Sequence, residues 1–235
     1  MKHFIIALSV FGVAQGAFAG KYNCKNIDSI VEDSSLVDLT GESLEALQSR
    51  KIHGNKIIVS KEGKRLFLFN GDNLLRVYNV ALGRSPYGHK TQEGDNKTPE
   101  GVYQIDFKKK DSEYHKALHV NYPSKADIER TKKISLKKGV ELSPGGDIMI
   151  HGLPNDDTSR FFVDKAHPVI NWTRGCIAVT NEEIEELYQL VPVKTELEIC
   201  PANERGAPNS ALRIAEDIGK EEQDLKSIAI PGKAQ

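Results

Sequence analysis

Short apolar runs separated by turn residues dominate the middle of this chain. Lys56-Ile57-Ile58-Val59-Ser60 and Arg65-Leu66-Phe67-Leu68-Phe69 are two β-rich runs, and Glu62-Gly63-Lys64 between them reads as a hairpin turn. Asn70-Gly71-Asp72-Asn73 is a second turn, leading to a third strand over Leu74 to Leu82. Further strands are expected at Val102 to Asp106, Leu118 to Tyr122, Asp147 to His151, Cys176 to Val179 and Thr195 to Ile199. Arg84 to Gly101, rich in Gly, Pro, Lys and Glu, reads as a long surface loop. Helical spacing is sparser. Leu44 and Leu47 give a short helix in a helical lead-in over 20–54, and Ala126 to Lys138 gives a second. Thr180 and Glu183 form a capping box ahead of Ile184, Leu187, Tyr188 and Val191, and Pro192 stops that helix. The pattern is mainly β with a few helices (α+β), with no internal repeat and no parallel βαβ series.

The two ends differ from this middle. In residues 1–19, Lys2 precedes an apolar run from Phe4 to Val13, and Ala17-Phe18-Ala19 is a small-x-small cleavage site. That is the pattern of a secretory signal peptide, and the run is too short for a membrane span. No other stretch is long and apolar enough to span a bilayer, so a periplasmic or secreted location is expected. The segment 201–235 is highly charged from Glu216 to Lys226 and reads as a peripheral tail. A formal net charge of −1 supplies no basic field to recommend nucleic acid as a partner. Three cysteines, Cys24, Cys176 and Cys200, are an odd count for an oxidising compartment.

Cys176 lies in Thr173-Arg174-Gly175-Cys176-Ile177, at the start of a strand. Gly175 before it allows close approach of a ligand to the backbone. His151, in Ile150-His151-Gly152, is a residue type that can take the thiol proton and stabilise the nucleophilic thiolate. Backbone N–H groups of Gly175 and Cys176 are candidate donors to a developing oxyanion. Together these suit acyl transfer through a thioester. Taken alone, a buried cysteine is more often a small inert apolar group, and a histidine at a strand end is more often a structural hydrogen-bonding ring. Cys176 has no second cysteine at metal-ligand spacing, so neither a metal nor a cofactor is expected.

The ordered segments around these residues resemble the L,D-transpeptidase catalytic domain, the YkuD-type family. That family carries His-Gly, a spacer, and then Ser/Thr-His-Gly-Cys, matched here by His151-Gly152 and Thr173-Arg174-Gly175-Cys176. Lys61 to Gly83 is similar to the family's opening hairpin. Gly94-Asp95-Asn96-Lys97-Thr98-Pro99-Glu100-Gly101-Val102-Tyr103 is similar to its Gly-Asp-x-x-Thr-Pro-x-Gly-x-Tyr stretch, and Ser143 to Gly152 to its approach to the histidine. Three positions depart from the pattern. Arg174 replaces the usual histidine, Ala178 stands where Arg or Asn is common, and His151 and Cys176 are 25 positions apart, a longer spacer than usual.

The resemblance implies a β-sandwich or barrel with a capping-loop region, spanning 55–200. It implies Cys176 as nucleophile, His151 as base, Gly152 orienting His151 through its backbone, and Gly175 with Cys176 at the oxyanion. The implied substrates are peptidoglycan stem peptides, attacked at the L-to-D bond after the diamino acid, with an amine of another stem or of a wall-anchored protein resolving the acyl-enzyme. Water as the resolving group makes the same site a hydrolase, a carboxypeptidase or amidase. A non-catalytic wall-binding protein is a third reading. Arg174 either pairs with a substrate carboxylate or is a solvated loop residue. Thr173, His119 and Tyr122 are further candidates for lining the cleft, the alternative for the last two being sheet packing. The spacer, with Phe161, Phe162 and Trp172, forms a lid or packs on the barrel. Because a catalytic thiol has to stay free, Cys24 and Cys200 are expected to pair, the alternative being two separate thiols.

Overall fold

A computed structural model describes residues 21–202 of the 235. The expected signal peptide lies outside the described residues, as does nearly all of the charged tail. The elements run in chain order as a 3₁₀ turn (Ile27–Glu32), β1 (Val37–Asp38), α1 (Leu44–Ser49), β2 (Lys56–Ser60), β3 (Arg65–Asn70) and β4 (Asn73–Asn79). Then come β5 (Gly101–Ser112), β6 (His115–Val120), α2 (Lys125–Lys138), β7 (Met149–His151), α3 (Asp157–Ala166), β8 (Ile177–Ala178), α4 (Asn181–Leu190) and β9 (Glu196–Cys200). Among the described residues no helix is long and apolar enough to cross a membrane.

Among the described residues, nine strands form one mixed sheet in the order β1-β4-β3-β2-β9-β5-β6-β7-β8. β2, β3 and β4 form the antiparallel meander, with Ile57 opposite Leu68 and Leu66 opposite Tyr78. β9 returns from the far end of the chain to pair in parallel with β2 and antiparallel with β5. Buried side chains from both halves of the sheet, among them Leu66, Leu68, Ile105, Leu118, Ile150 and Ile177, join with Ile184 and Leu187 of α4 in one core. Burial of that apolar surface is the main driving force for the fold. The Thr180 capping box forms as its sequence requires: Thr180 Oγ1 accepts from Glu183 N, and the Glu183 carboxylate accepts from Thr180 N.

Several boundaries differ from the sequence pattern, each for a physical reason. The expected strand Leu74 to Leu82 is regular only to Asn79. Residues beyond it leave β3 and bridge to the other end of the sheet, Ala81 to Ala178 and Gly83 to Thr173. Small residues make this crossing possible: a Cβ on Gly83 would lie 2.2 Å from the carbonyl oxygen of Asn96. The fifth strand extends to Ser112, through the charged run Lys108-Lys109-Lys110-Asp111, because its outward positions face solvent. The lead-in is not wholly helical, since β1 adds in parallel to β4. The stretch Arg84 to Gly101 is not a simple surface loop either: Lys90, Thr98 and Pro99 are buried and hydrogen bonds hold its backbone.

Candidate active site

The catalytic pair expected from the sequence comes together at the far edge of the sheet. β7 and β8 run in parallel with Ile150 opposite Ile177 and His151 opposite Ala178. This register carries His151 at the end of one strand and Cys176 just before the other to the same cavity, of about 810 Å³. Ligand pockets span roughly 300–1,000 Å³. Arg84, Trp172, Thr173 and Arg174 line the cavity together with Glu113, Tyr114, Asn155 and Asp156, and the Tyr114 and Trp172 rings lie 6.1 Å apart. Main-chain and amide bonds tie the β5–β6 turn to the segment after β7: Asn155 N donates to the Glu113 carbonyl, Asn155 Nδ2 to the Ser112 carbonyl, and Gly152 N to the Tyr114 carbonyl.

His151 is buried, and its Nδ1 lies 2.7 Å from the Gly152 carbonyl oxygen. A carbonyl only accepts, so Nδ1 carries the proton and Nε2 is left with its lone pair. The rings of Tyr114 and Trp172 pack at 4.5 and 5.7 Å from the imidazole. Burial pushes the His151 pKa down to about 4, so at neutral pH the ring is neutral and its Nε2 lone pair is free to accept a proton. Gly152 has no room for a side chain, since a Cβ would lie 2.6 Å from Asn181 Oδ1, the atom that accepts from Leu153 N.

The nucleophile turn is built around Thr173. Its Oγ1 donates to the Cys176 carbonyl at 2.7 Å and accepts from Gly175 N at 3.1 Å. Gly175 adopts φ +136°, and a Cβ there would lie 2.7 Å from the Lys97 carbonyl oxygen, so glycine is required on both counts. With Gly175 N–H engaged by Thr173, Cys176 N–H is the candidate oxyanion donor left from the expected pair. Cys176 Sγ donates to the Asp147 carbonyl at 3.4 Å. Burial pushes its thiol pKa up, while a backbone hydrogen bond from Met149 works the other way. The resting pair is therefore a neutral thiol and a neutral imidazole rather than a preformed ion pair.

Two candidates lie elsewhere. Tyr122 is buried in the core, its hydroxyl donating to the Pro144 carbonyl and its ring edge-on to Tyr103, so it packs rather than lines the cleft. His119 is outside the cavity as well. It stacks on Phe107 at 4.1 Å and its Nδ1 meets Asp106 Oδ1 at 2.6 Å. His115 and His119 stand at His-x-x-x-His spacing, but on a strand, and each ring meets a different carboxylate, Glu185 for His115 and Asp106 for His119. Arg174 is exposed on the cavity wall, and Thr173 is buried within the turn. The spacer forms α3, on which Phe161 and Phe162 are 58% and 67% exposed, while Trp172 reaches the cavity. Cys24 and Cys200 form a disulfide across 176 positions, and Cys176 is the free cysteine.

Sequence reading passed over Tyr114, Arg84 and Asp147. Tyr114 sits in the β5–β6 turn, where nothing in its neighbours marks it, and Asp147 contributes through its main chain, which leaves no side-chain signature.

The chain belongs to the L,D-transpeptidase catalytic domain (YkuD) family, whose model matches residues 54–199. Among curated proteins it is 32% identical, over 120 residues, to the Escherichia coli K12 protein named "Putative L,D-transpeptidase YafK". That match takes in 50% of this chain and 37% of the relative, so the chain corresponds to well under half of the relative's length. Among solved structures it resembles the helical cell shape determining protein Pgp2 from Campylobacter jejuni, at 21% identity and a TM-score of 0.44 over 67% of this chain and 55% of that one. It also resembles an L,D-transpeptidase from Xylanimonas cellulosilytica, at 14% identity and a TM-score of 0.38 over 66% and 67%.

Proposed function

We propose that this chain is an exported cysteine acyltransferase acting on peptidoglycan stem tetrapeptides, an L,D-transpeptidase. The single observation that carries the reading is the convergence of Cys176 and a neutral, Nδ1-protonated His151 on one cavity. In the first half-reaction, His151 Nε2 takes the thiol proton and Sγ attacks the carbonyl of the L-to-D bond after the diamino acid. The oxyanion that forms meets Cys176 N–H. Collapse breaks the amide bond, the proton on Nε2 passes to the leaving D-alanine amine, and a thioester remains on Cys176. In the second half-reaction an amine, from another stem or from a wall-anchored protein, attacks the thioester carbonyl and gives a proton to Nε2; the C–S bond breaks, the acyl group stays on the amine, and Nε2 returns the proton to the departing Cys176 sulfur. No cofactor enters this scheme. The leader pattern of residues 1–19 supports export.

Incubating the purified chain with muropeptides tests this. Cross-linked or D-amino-acid-exchanged products are expected from the wild type and none from Cys176→Ala. Products shortened by hydrolysis alone would replace the transferase reading with the hydrolase one, and wall binding with no turnover at all would leave a binding protein.

A further inference from the structure

The cavity that holds Cys176 carries two guanidinium groups that the acyl-transfer scheme does not use. Gly83 and Thr173 form a parallel bridge, in which Thr173 N donates to the Leu82 carbonyl at 3.1 Å and Arg84 N to the Thr173 carbonyl at 3.0 Å. One residue beyond the bridge on each segment, at neighbouring positions, stand Arg84 and Arg174, and both line the cavity. The crossing is tight. A Cβ on Gly83 would lie 3.1 Å from the Gly175 Cα, so the backbone before Arg84 runs against the nucleophile turn. Arg84 is fixed further by its side chain, whose Nε donates to the Trp172 carbonyl at 3.1 Å. That bond leaves the terminal nitrogens of the guanidinium without a protein partner among the described residues. Glu113 and Asp156 also line the cavity, yet among the described residues neither forms an ion pair with either arginine, and one Asp156 oxygen is taken by Ser159 N at 2.8 Å. Two like charges at neighbouring positions repel one another, a cost that an anion between them removes. A carboxylate suits them, because the planar guanidinium fork matches its pair of oxygens.

We propose that Arg84, together with Arg174, binds the free α-carboxylate of the residue that leaves, and so makes this chain selective for stems that end at that residue. The inference rests on the proposed reading of Cys176 as the nucleophile toward stem tetrapeptides. It adds the group that is recognised and the residue that recognises it. In a tetrapeptide the departing D-alanine carries its carboxylate on the Cα next to the nitrogen of the scissile bond, one residue beyond the carbonyl that Sγ attacks. Arg84 likewise stands one residue beyond the backbone that runs against the nucleophile turn. Where the same carboxyl is amidated or joined onward in a chain, its charge is gone and the two guanidinium groups lose their anion. Arg84 is thus a specificity-determining residue, which moves no proton and forms no bond to the acyl group.

The experiment compares a stem tetrapeptide ending in a free carboxylate with the same peptide ending in a carboxamide. Both are titrated by calorimetry into the full chain carrying Cys176→Ala, which binds without turnover. The acid is expected to bind about tenfold tighter than the amide, as one charge-assisted hydrogen bond provides. Arg84→Gln should bring the two within about twofold by weakening the acid alone, and Arg84→Lys, which keeps the charge and loses the fork, should recover part of the preference. The preference should shrink in 1 M salt. Equal affinity for the two peptides before any change at Arg84, or no measurable binding of the acid, would overturn the proposal. So would an Arg84→Gln variant that weakens both peptides alike, the mark of a structural role. A preference that survives Arg84→Gln and vanishes in Arg174→Gln would overturn the part of Arg84. The proposed activity is read separately, from acyl-enzyme formation on the unsubstituted chain by intact mass. Its absence there would sink that reading, while the preference for acid over amide still stands or falls on the titrations.

Discussion

Two segments flank Cys176 and His151, and they are built in opposite ways. The 84–101 segment behind Cys176 is clamped by buried polar groups. Lys61 Nζ, fully buried, donates to the carbonyls of Gly88 and Thr98 and to Glu100 Oε1. The Asp95 carboxylate gathers Lys90 Nζ and the backbone N–H groups of Thr91, Gln92 and Lys97. The 154–172 segment on the other side is α3 and its flanks. α3 has a proper cap, Asp156 Oδ1 accepting from Ser159 N, yet buries none of its residues. Lys64 Nζ ties its exit through the Pro168 and Val169 carbonyls. The contrast teaches where geometric tolerance is small. A nucleophile turn in which a missing Cβ leaves 2.7 Å to the next backbone has to rest on a fixed neighbour. A rim whose helix buries none of its residues is under no such demand.

The largest effect should come from breaking the clamp. Lys61→Met leaves Glu100 and two carbonyls without their cation and should destabilise the chain by about 3–5 kcal/mol, measured by urea unfolding. A loss below about 1 kcal/mol would mean that the 84–101 segment does not depend on its buried charges.

Acid is the next perturbation. The His151 pKa is about 4 in the folded chain, against about 6.5 for a free histidine. The unfolded state therefore binds more protons in this window, and the stability that the neutral ring contributes is complete above pH 6.5 and lost as the pH falls through 4. The full loss is on the order of 3 kcal/mol. His151→Gln should flatten that part of the curve of stability against pH, which denaturant titrations at a series of pH values would record. The acid limb of kcat/KM should likewise lie near pH 4 to 5 rather than near 6.5.

Within the nucleophile turn, Gly175→Ala introduces a Cβ against the Lys97 carbonyl at a φ that alanine disfavours. Acylation should slow by about a hundredfold, a barrier increase of roughly 2.7 kcal/mol, scored by intact mass of the acyl-enzyme. The smallest effect on stability belongs to the open rim. Phe161→Ser with Phe162→Ser should change unfolding free energy by less than about 0.5 kcal/mol. If α3 meets substrate, KM for muropeptides rises in that variant while kcat holds. A stability loss as large as that of Lys61→Met would erase the contrast between the two segments.

Much of the architecture is legible in the residues. β2 and the helix after Thr180 follow their apolar runs and capping box closely, because period and cap chemistry are local properties. Cys176 and His151 are legible as residue types and through their neighbours. What was not legible depends on contacts between distant parts. The 84–101 stretch reads as polar surface because nothing in its own composition announces that Lys61, more than twenty residues earlier, fills its centre. Tyr122 and His119 sit on adjoining stretches whose alternation shows that they differ from their neighbours but not which face the cleft lies on. α3 is not legible because its apolar residues, Phe161, Phe162 and Val163, fall in one consecutive run and none of its positions is buried, so no core contact demands the helix.

By itself the sequence determined the strand-rich class, the family resemblance and the chemical types available for catalysis, since these reside in local pattern and in short ordered motifs. The tertiary structure alone decided the rest. It brought Ala81 to Ala178 so that the two ends of the sheet meet, joined Cys24 to Cys200, and set Nδ1 of His151 on the Gly152 carbonyl. It also turned the Asp147 carbonyl toward Sγ. Each of these is a matter of a few ångströms between residues far apart in the chain or of the direction of one main-chain group. Neither quantity is encoded in any window of sequence, because both are settled by how the whole sheet closes and packs.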